Sequence, residues 1–132
     1  MRSRIIPQTP ETVLSYGVDG ERENLLADAV SSLGMKYKKI DPDMAGETIG
    51  FLAGFGGFSE NNTPKSVSGE CVIFSSVTSK RLDALLKAMR ERKLDIPLKA
   101  VVTAHNQSKT VEWLITELSK EHEAMKKAER KG

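Results

Sequence analysis

Residues 71–76 read Cys-Val-Ile-Phe-Ser-Ser, and Val77-Thr78-Ser79 lead from them into a segment of helical periodicity. Four apolar residues in succession, without alternation, describe a strand covered on both faces, so this strand belongs at the centre of a sheet. Thr78 or Ser79 can cap the helix that follows, where Leu82, Leu85, Leu86 and Met89 share one side and Lys87, Arg90 and Arg92 the other. Pro97 then restarts the chain into a strand over Leu98–Thr103. A strand, a helix and a second strand in this order make a parallel crossover unit.

Working outward, Thr12–Tyr16 is β-branched and apolar and ends at Gly17, as a strand entering a turn does. Asp19 stands at a cap position, and Leu25, Leu26, Ala29, Val30 and Leu33 recur at helical intervals before Gly34. Lys36–Ile40 reads as a lysine-rich edge strand, and Asp41-Pro42-Asp43 as a turn. Ala45 to about Phe55 reads as a short helix and Ser59–Glu70 as a mobile polar loop. A last helix carries Val111, Leu114, Ile115, Leu118, His122 and Met125 on one face. The sum is an α/β fold of order βαβαβαβα: a four-stranded, mainly parallel sheet with strand order 2-1-3-4 and helices on both faces. No repeat or linker stands out, so residues 1–132 read as one domain with an N-terminal arm (1–10) and a frayed tail (126–132).

Composition narrows the function classes. Lys and Arg number 20 against 18 Asp and Glu, a balance that draws the chain to neither nucleic acid nor an anionic membrane. The one cysteine, Cys71, forms no internal disulfide or cysteine-based zinc cluster and reads as a core residue. No apolar run approaches the roughly 20 residues of a membrane span, and the N-terminus lacks the apolar core of a signal peptide. The expectation is a cytoplasmic protein that uses no metal and no cofactor.

Gly50-Phe51-Leu52-Ala53-Gly54-Phe55-Gly56-Gly57-Phe58 concentrates three of the four phenylalanines in nine residues. On a helix, Gly46, Gly50 and Gly54 line one side, Ile49, Leu52 and Ala53 an adjoining one, and Phe51, Phe55 and Phe58 the far side. An all-round apolar helix needs a second cover. Either Gly56-Gly57 end it and Phe58 folds back onto the core, or Phe51, Phe55 and Phe58 form a partner surface.

In an open parallel sheet, ligands bind beyond the strand carboxyl ends where the order reverses. For this order the facing loops are Tyr16-Gly17 and Ser75-Ser76 with Thr78, each opening a helix, and Thr103, His105 and Asn106 follow the last strand. These residues are candidates for a phosphate or carboxylate site, while caps and turn bonds are the ordinary use of the same side chains. His105 has no partner recognisable in sequence that would make it a catalytic base, and no catalytic set is assigned.

Ile49–Phe58, "IGFLAGFGGF", and Ser79–Met125, with its Leu-x-x-Leu-Leu helix, "LKAVVT" strand, Asn106 and closing "EHEAM", resemble a small bacterial family catalogued as a domain of unknown function. The resemblance is strongest over Cys71–Met125. It implies no known activity, and it marks Lys99, Thr103, Asn106 and His122 as motif positions without roles. The expectation is an uncharacterised, noncatalytic module that binds a protein partner or itself, a possible homo-oligomer. The alternative is a small-ligand or phosphate-binding protein or enzyme using the strand ends.

Overall fold

The computed structural model describes residues 10–131, with side chains through Lys127; the N-terminal arm lies outside the described residues except for Pro10. The elements are β1 (Thr12–Tyr16), α1 (Gly20–Ser32), β2 (Lys36–Lys39), α2 (Ile49–Leu52), β3 (Cys71–Ser75), α3 (Ser79–Glu91), β4 (Leu98–Val101) and α4 (Val111–Lys131). The sheet order is β2-β1-β3-β4, as the sequence predicts, and the two central strands are buried throughout. α1 and α3 pack on one face around Val13, Leu26, Val30, Val72, Phe74, Leu85 and Met89. α2 and α4 cover the other, around Leu14, Ile49, Leu52, Ile73, Leu114 and Ile115.

β1 runs parallel to β2, and β3 to β4, but β1 and β3 are antiparallel. The sheet is therefore mostly parallel and mixed. The cause lies in the connection between β2 and β3. A parallel connection needs an element that carries the chain back along the whole strand. α2 supplies only four residues, about 6 Å of helix, so β3 starts at the sheet end where β2 finished.

The expected helix over Ala45–Phe55 is shortened because its first part is held extended. Ala45 N–H donates to the Lys65 carbonyl and Lys65 N–H to that of Asp43 (both 3.0 Å). The buried Glu47 carboxylate accepts Asn61 N–H (2.7 Å) and Asn62 N–H (3.1 Å). Thr48 then caps α2, accepting Phe51 N–H, and Gly54 at φ +83° ends the helical turn. The three glycines consequently do not line one helix side. Gly46 lies against the Thr63 carbonyl, and Gly50 leaves room for the Phe58 ring, which a β-carbon at Gly50 would meet at 2.6 Å. Phe58 does fold back.

The antiparallel ladder exposes an internal symmetry. Leu14 pairs with Ile73, and these residues are 59 positions apart; so are Thr12 and Cys71, and Tyr16 and Ser75, whose ladder pairs are Thr12 with Ser75 and Tyr16 with Cys71. A pseudo-twofold axis therefore passes between Leu14 and Ile73. The same offset relates Gly17 to Ser76 and Gly34 to Lys93, all four at positive φ. It relates the helix ends too, since Met35 N–H donates to Val30 (3.2 Å) and Leu94 N–H to Met89 (2.9 Å). Arg81 of the second half grips Glu11 of the first at 2.8 and 2.9 Å, and Arg22 of the first grips Glu70 of the second.

Residues 95–97 are extra in the second half, so from β2 and β4 onward the offset is 62, Lys36 matching Leu98. At that offset Thr48 bridges its own counterpart Thr110. Ile49 N–H donates to the Lys109 carbonyl (2.9 Å) and Val111 N–H to that of Glu47 (3.2 Å), reciprocal bonds across the same axis. Thr110 caps Trp113 as Thr48 caps Phe51. The chain is thus a tandem pair of β-α-β-turn-α units. The repeat was absent from the sequence reading because its identities are confined to Glu11/Glu70, Val13/Val72, Val18/Val77, Arg22/Arg81, Leu26/Leu85, Ala29/Ala88, Thr48/Thr110 and Leu52/Leu114.

Hydrogen bonds from Arg81 hold the Glu11 carboxyl below its ordinary value of 4.5. A group depressed on folding stabilises the fold above its unfolded pKa and loses that contribution as pH falls through the folded one. Thermal melts of wild type and Glu11→Gln should therefore differ at neutral pH and converge in acid; a gap that persists at low pH would show that the ion pair is not its source.

Candidate functional site

The strand arrangement divides the residues that the sequence grouped. Tyr16 and Gly17 leave the sheet at the end where β3 begins, whereas Ser75, Ser76 and Thr78 leave at the opposite end, beside Thr12. Because β3 and β4 are parallel, Thr103, His105 and Asn106 follow β4 at that second end. No single crevice joins the two groups. The switch-point argument required β1 and β3 to be parallel, and they are not.

At the first end the loops close on each other. A β-carbon at Gly17 would stand 2.2 Å from the Gly69 carbonyl oxygen, and Gly17 sits at φ +78°. The Tyr16 hydroxyl donates to the Pro42 carbonyl and accepts Val67 N–H at 3.1 Å. Its oxygen is thereby committed to holding the 41–43 turn and the 59–70 connection.

At the second end most polar groups are likewise committed. Thr78 accepts Arg81 N–H as the α3 cap at 3.3 Å. Thr103 and Asn106 form a reciprocal pair: Thr103 N–H donates to Asn106 Oδ1 (2.8 Å) and Asn106 N–H to Thr103 Oγ1 (3.1 Å). Asn106 Nδ2 donates to the Val101 carbonyl at 3.0 Å, and the residue is buried. This is a loop lock. His105 is exposed, with its ring edge-on to Trp113 at 6.0 Å, and Lys109 Nζ lies 5.3 Å from the Trp113 centroid. Ser75 Oγ is buried among the described residues without a hydrogen-bond partner, but the side chain is 0% exposed.

A polar cluster that the sequence reading missed lies between β1, β2 and α1. Ser15 Oγ and the Tyr37 hydroxyl are 2.6 Å apart, and Tyr37 donates to Glu23 Oε2 at 3.0 Å. Lys39 joins Glu23 (3.3 Å) and Asp19 (2.6 Å). Asp19 therefore binds Lys39 instead of capping α1 through its side chain. Burial, together with the bond to Glu23, pushes the Tyr37 phenol up to about 12, and the bond to Asp19 raises Lys39. A phenol held protonated and a buried serine tie the edge strand to α1, where the second half places Phe74 and Leu82 at the positions of Ser15 and Glu23. The signal available was Ser15 within an otherwise apolar strand.

Phe51, Phe55 and Phe58 are all half-buried, with Phe51 packed on the α2/α4 core and Phe58 on Gly50. Large apolar side chains are most exposed elsewhere: among the described residues these are Val101 and Met125, the latter at 64%. Met125 lies on the part of α4 that leaves the domain. α4 spans 21 residues, about 31 Å, beside strands of about 16 Å, and among its described side chains Leu118 is the last packed on the core. A groove of about 590 Å³ runs along this part, walled by Val67, Ser68, Ile115 and Ala124 and edged by Lys120, Glu123 and Lys127. Cys71 is wholly buried, which pushes its thiol up to about 12. Among the described residues no three histidine, cysteine or acidic side chains are placed to hold a metal ion, and no helix is long and apolar enough to cross a membrane.

Residues 70–125 match the model of a family described as a domain of unknown function (DUF3783). The match opens at Glu70, the counterpart of Glu11, and closes at Met125, so it covers the second structural repeat together with most of α4. Comparison with curated proteins and with solved structures found no match.

Two substitutions separate a locked loop from a binding loop. Asn106→Ala strands Thr103 N–H and the Val101 carbonyl and should cost about 1–3 kcal/mol in denaturant unfolding. Gly17→Ala meets both the Gly69 carbonyl and an unfavourable φ and should cost about 2 kcal/mol or more. Full stability in either variant would show that the loop does not depend on these contacts.

Proposed function

We propose that the chain is a noncatalytic α/β module of the cytoplasm that binds protein through the groove along α4. The observation that carries this reading is the groove itself, an apolar trough with a charged rim, on a helix longer than its own domain needs. Apolar floors with polar rims are the ordinary anatomy of protein contacts. The strand-end loops favour the small-ligand alternative less, because their hydroxyls and amides mostly serve caps and turns. Phe51, Phe55 and Phe58 contribute less to such a surface than α4, since each is already partly packed.

A photo-crosslinking residue at Ser119, in the groove, should yield discrete adducts in cells, while one at Lys87 on exposed α3 should yield far fewer. Equal labelling at both positions would remove the groove from consideration. A metabolite that raises the melting temperature of the purified chain would favour the ligand reading instead, since selective binding to the folded state stabilises it.

A further inference from the structure

We propose that residues 59–64 form a strap that opens as a unit while the sheet stays closed, and that the buried carboxylate of Glu47 is its latch.

The closed strap is held at one place. All six of its residues are exposed. Asn61 N–H and Asn62 N–H donate to the two Glu47 carboxylate oxygens at 2.7 and 3.1 Å, and Asn61 Nδ2 donates to the Gly46 carbonyl at 2.9 Å. The Thr63 carbonyl lies directly over Gly46, where an added β-carbon would meet it at 2.3 Å. These contacts all fall on two adjacent residues, Gly46 and Glu47.

The post that carries the latch is fixed, and so are the two ends of the strap. Glu47 N–H donates to the Met44 carbonyl (3.1 Å), and the Glu47 carbonyl accepts Val111 N–H (3.2 Å), which ties the residue to the start of α4. On one side of the strap the Phe58 ring rests against Gly50. On the other, Lys65 exchanges backbone bonds with Asp43 and Ala45 (both 3.0 Å). Movement confined between Phe58 and Lys65 leaves both core clusters intact.

The balance between closed and open rests on the carboxylate. Glu47 is 3% exposed, and among the described residues no cation pairs with it. A buried carboxylate is costly unless its oxygens are hydrogen-bonded, and here the strap supplies those bonds. Asp41, Asp43 and Glu60 line the same pocket of about 260 Å³ and add only like charge. Opening returns the carboxylate to water and frees six exposed residues, so closure depends on the two charge-assisted bonds. Exposed segments with few apolar contacts open well before the sheet does. The strap thereby switches Glu47 between an internal acceptor and a solvent-facing carboxylate beside Asp41 and Asp43.

Amide hydrogen exchange of the full chain, read by NMR and corrected for intrinsic rates, tests the assignment. In wild type the Asn61 and Asn62 amides should exchange together, at least about a hundredfold faster than those of β1 and β3. Glu47→Gln, which keeps the shape and removes one acceptor oxygen, should speed both about tenfold or more. Gly46→Ala should do the same by pushing the Thr63 carbonyl away while leaving the carboxylate in place. In both variants the β1 and β3 amides should stay within about threefold of wild type, as local opening requires. Wild-type exchange at Asn61 and Asn62 in the Gln variant overturns the latch. Loss of β1 and β3 protection in step with the strap, in wild type or in either variant, overturns the separate opening.

Discussion

The antiparallel ladder between β1 and β3 is the constraint on which the rest of this structure depends. With the axis placed between Leu14 and Ile73, each half of the chain presents its inner strand to the other, and several later contacts between the halves occur in related pairs. The Arg22–Glu70 pair is the counterpart of the Arg81–Glu11 pair. Thr48 and Thr110 meet because both follow their edge strands by the same distance. Apolar burial on both sheet faces supplies the main stabilisation, and the paired ladder sets the register in which that burial occurs.

The same ladder determines where the chain offers an open surface. Opposed inner strands send their carboxyl ends in opposite directions, so the loops that would surround a ligand in a doubly wound sheet are separated by the length of the strands. Each loop is instead filled locally, by Gly69 against Gly17 and by the Thr103–Asn106 pair. The helix that outgrows the sheet then provides an open groove along its free half.

The fold was legible in the sequence where apolar spacing is strong. Cys71–Ser75 signalled a central strand, Leu82, Leu85 and Met89 a helix face, and the lysines of β2 an edge. What could not be read was the direction of β3, which depends on whether 41–70 returns along the sheet. Helical spacing over 45–55 pointed to a return, but the carboxylate of Glu47 and the bonds between 43–45 and 65 hold that stretch extended. Those bonds join residues far apart in sequence, so no local pattern announces them. The candidate ligand site inherited this error, because its grouping assumed a parallel pair. Ser15, Tyr37 and Glu23 escaped notice for a similar reason: each belongs to a different element and only packing unites them.

One property of the paired halves extends beyond the single molecule. The first half is held by an inner strand, an arginine grip and a threonine-capped helix, and all three are supplied by the second half in a form that any copy of the chain also carries. Residues 53–69 form the main tether between the units, so an opened molecule meets identical complementary surfaces on its own other half and on a neighbour's. Intramolecular closure prevails through effective concentration and not through any difference in contacts. Concentrated refolding would therefore be expected to exchange halves between chains, producing a swapped dimer whose interfaces reproduce those inside the monomer.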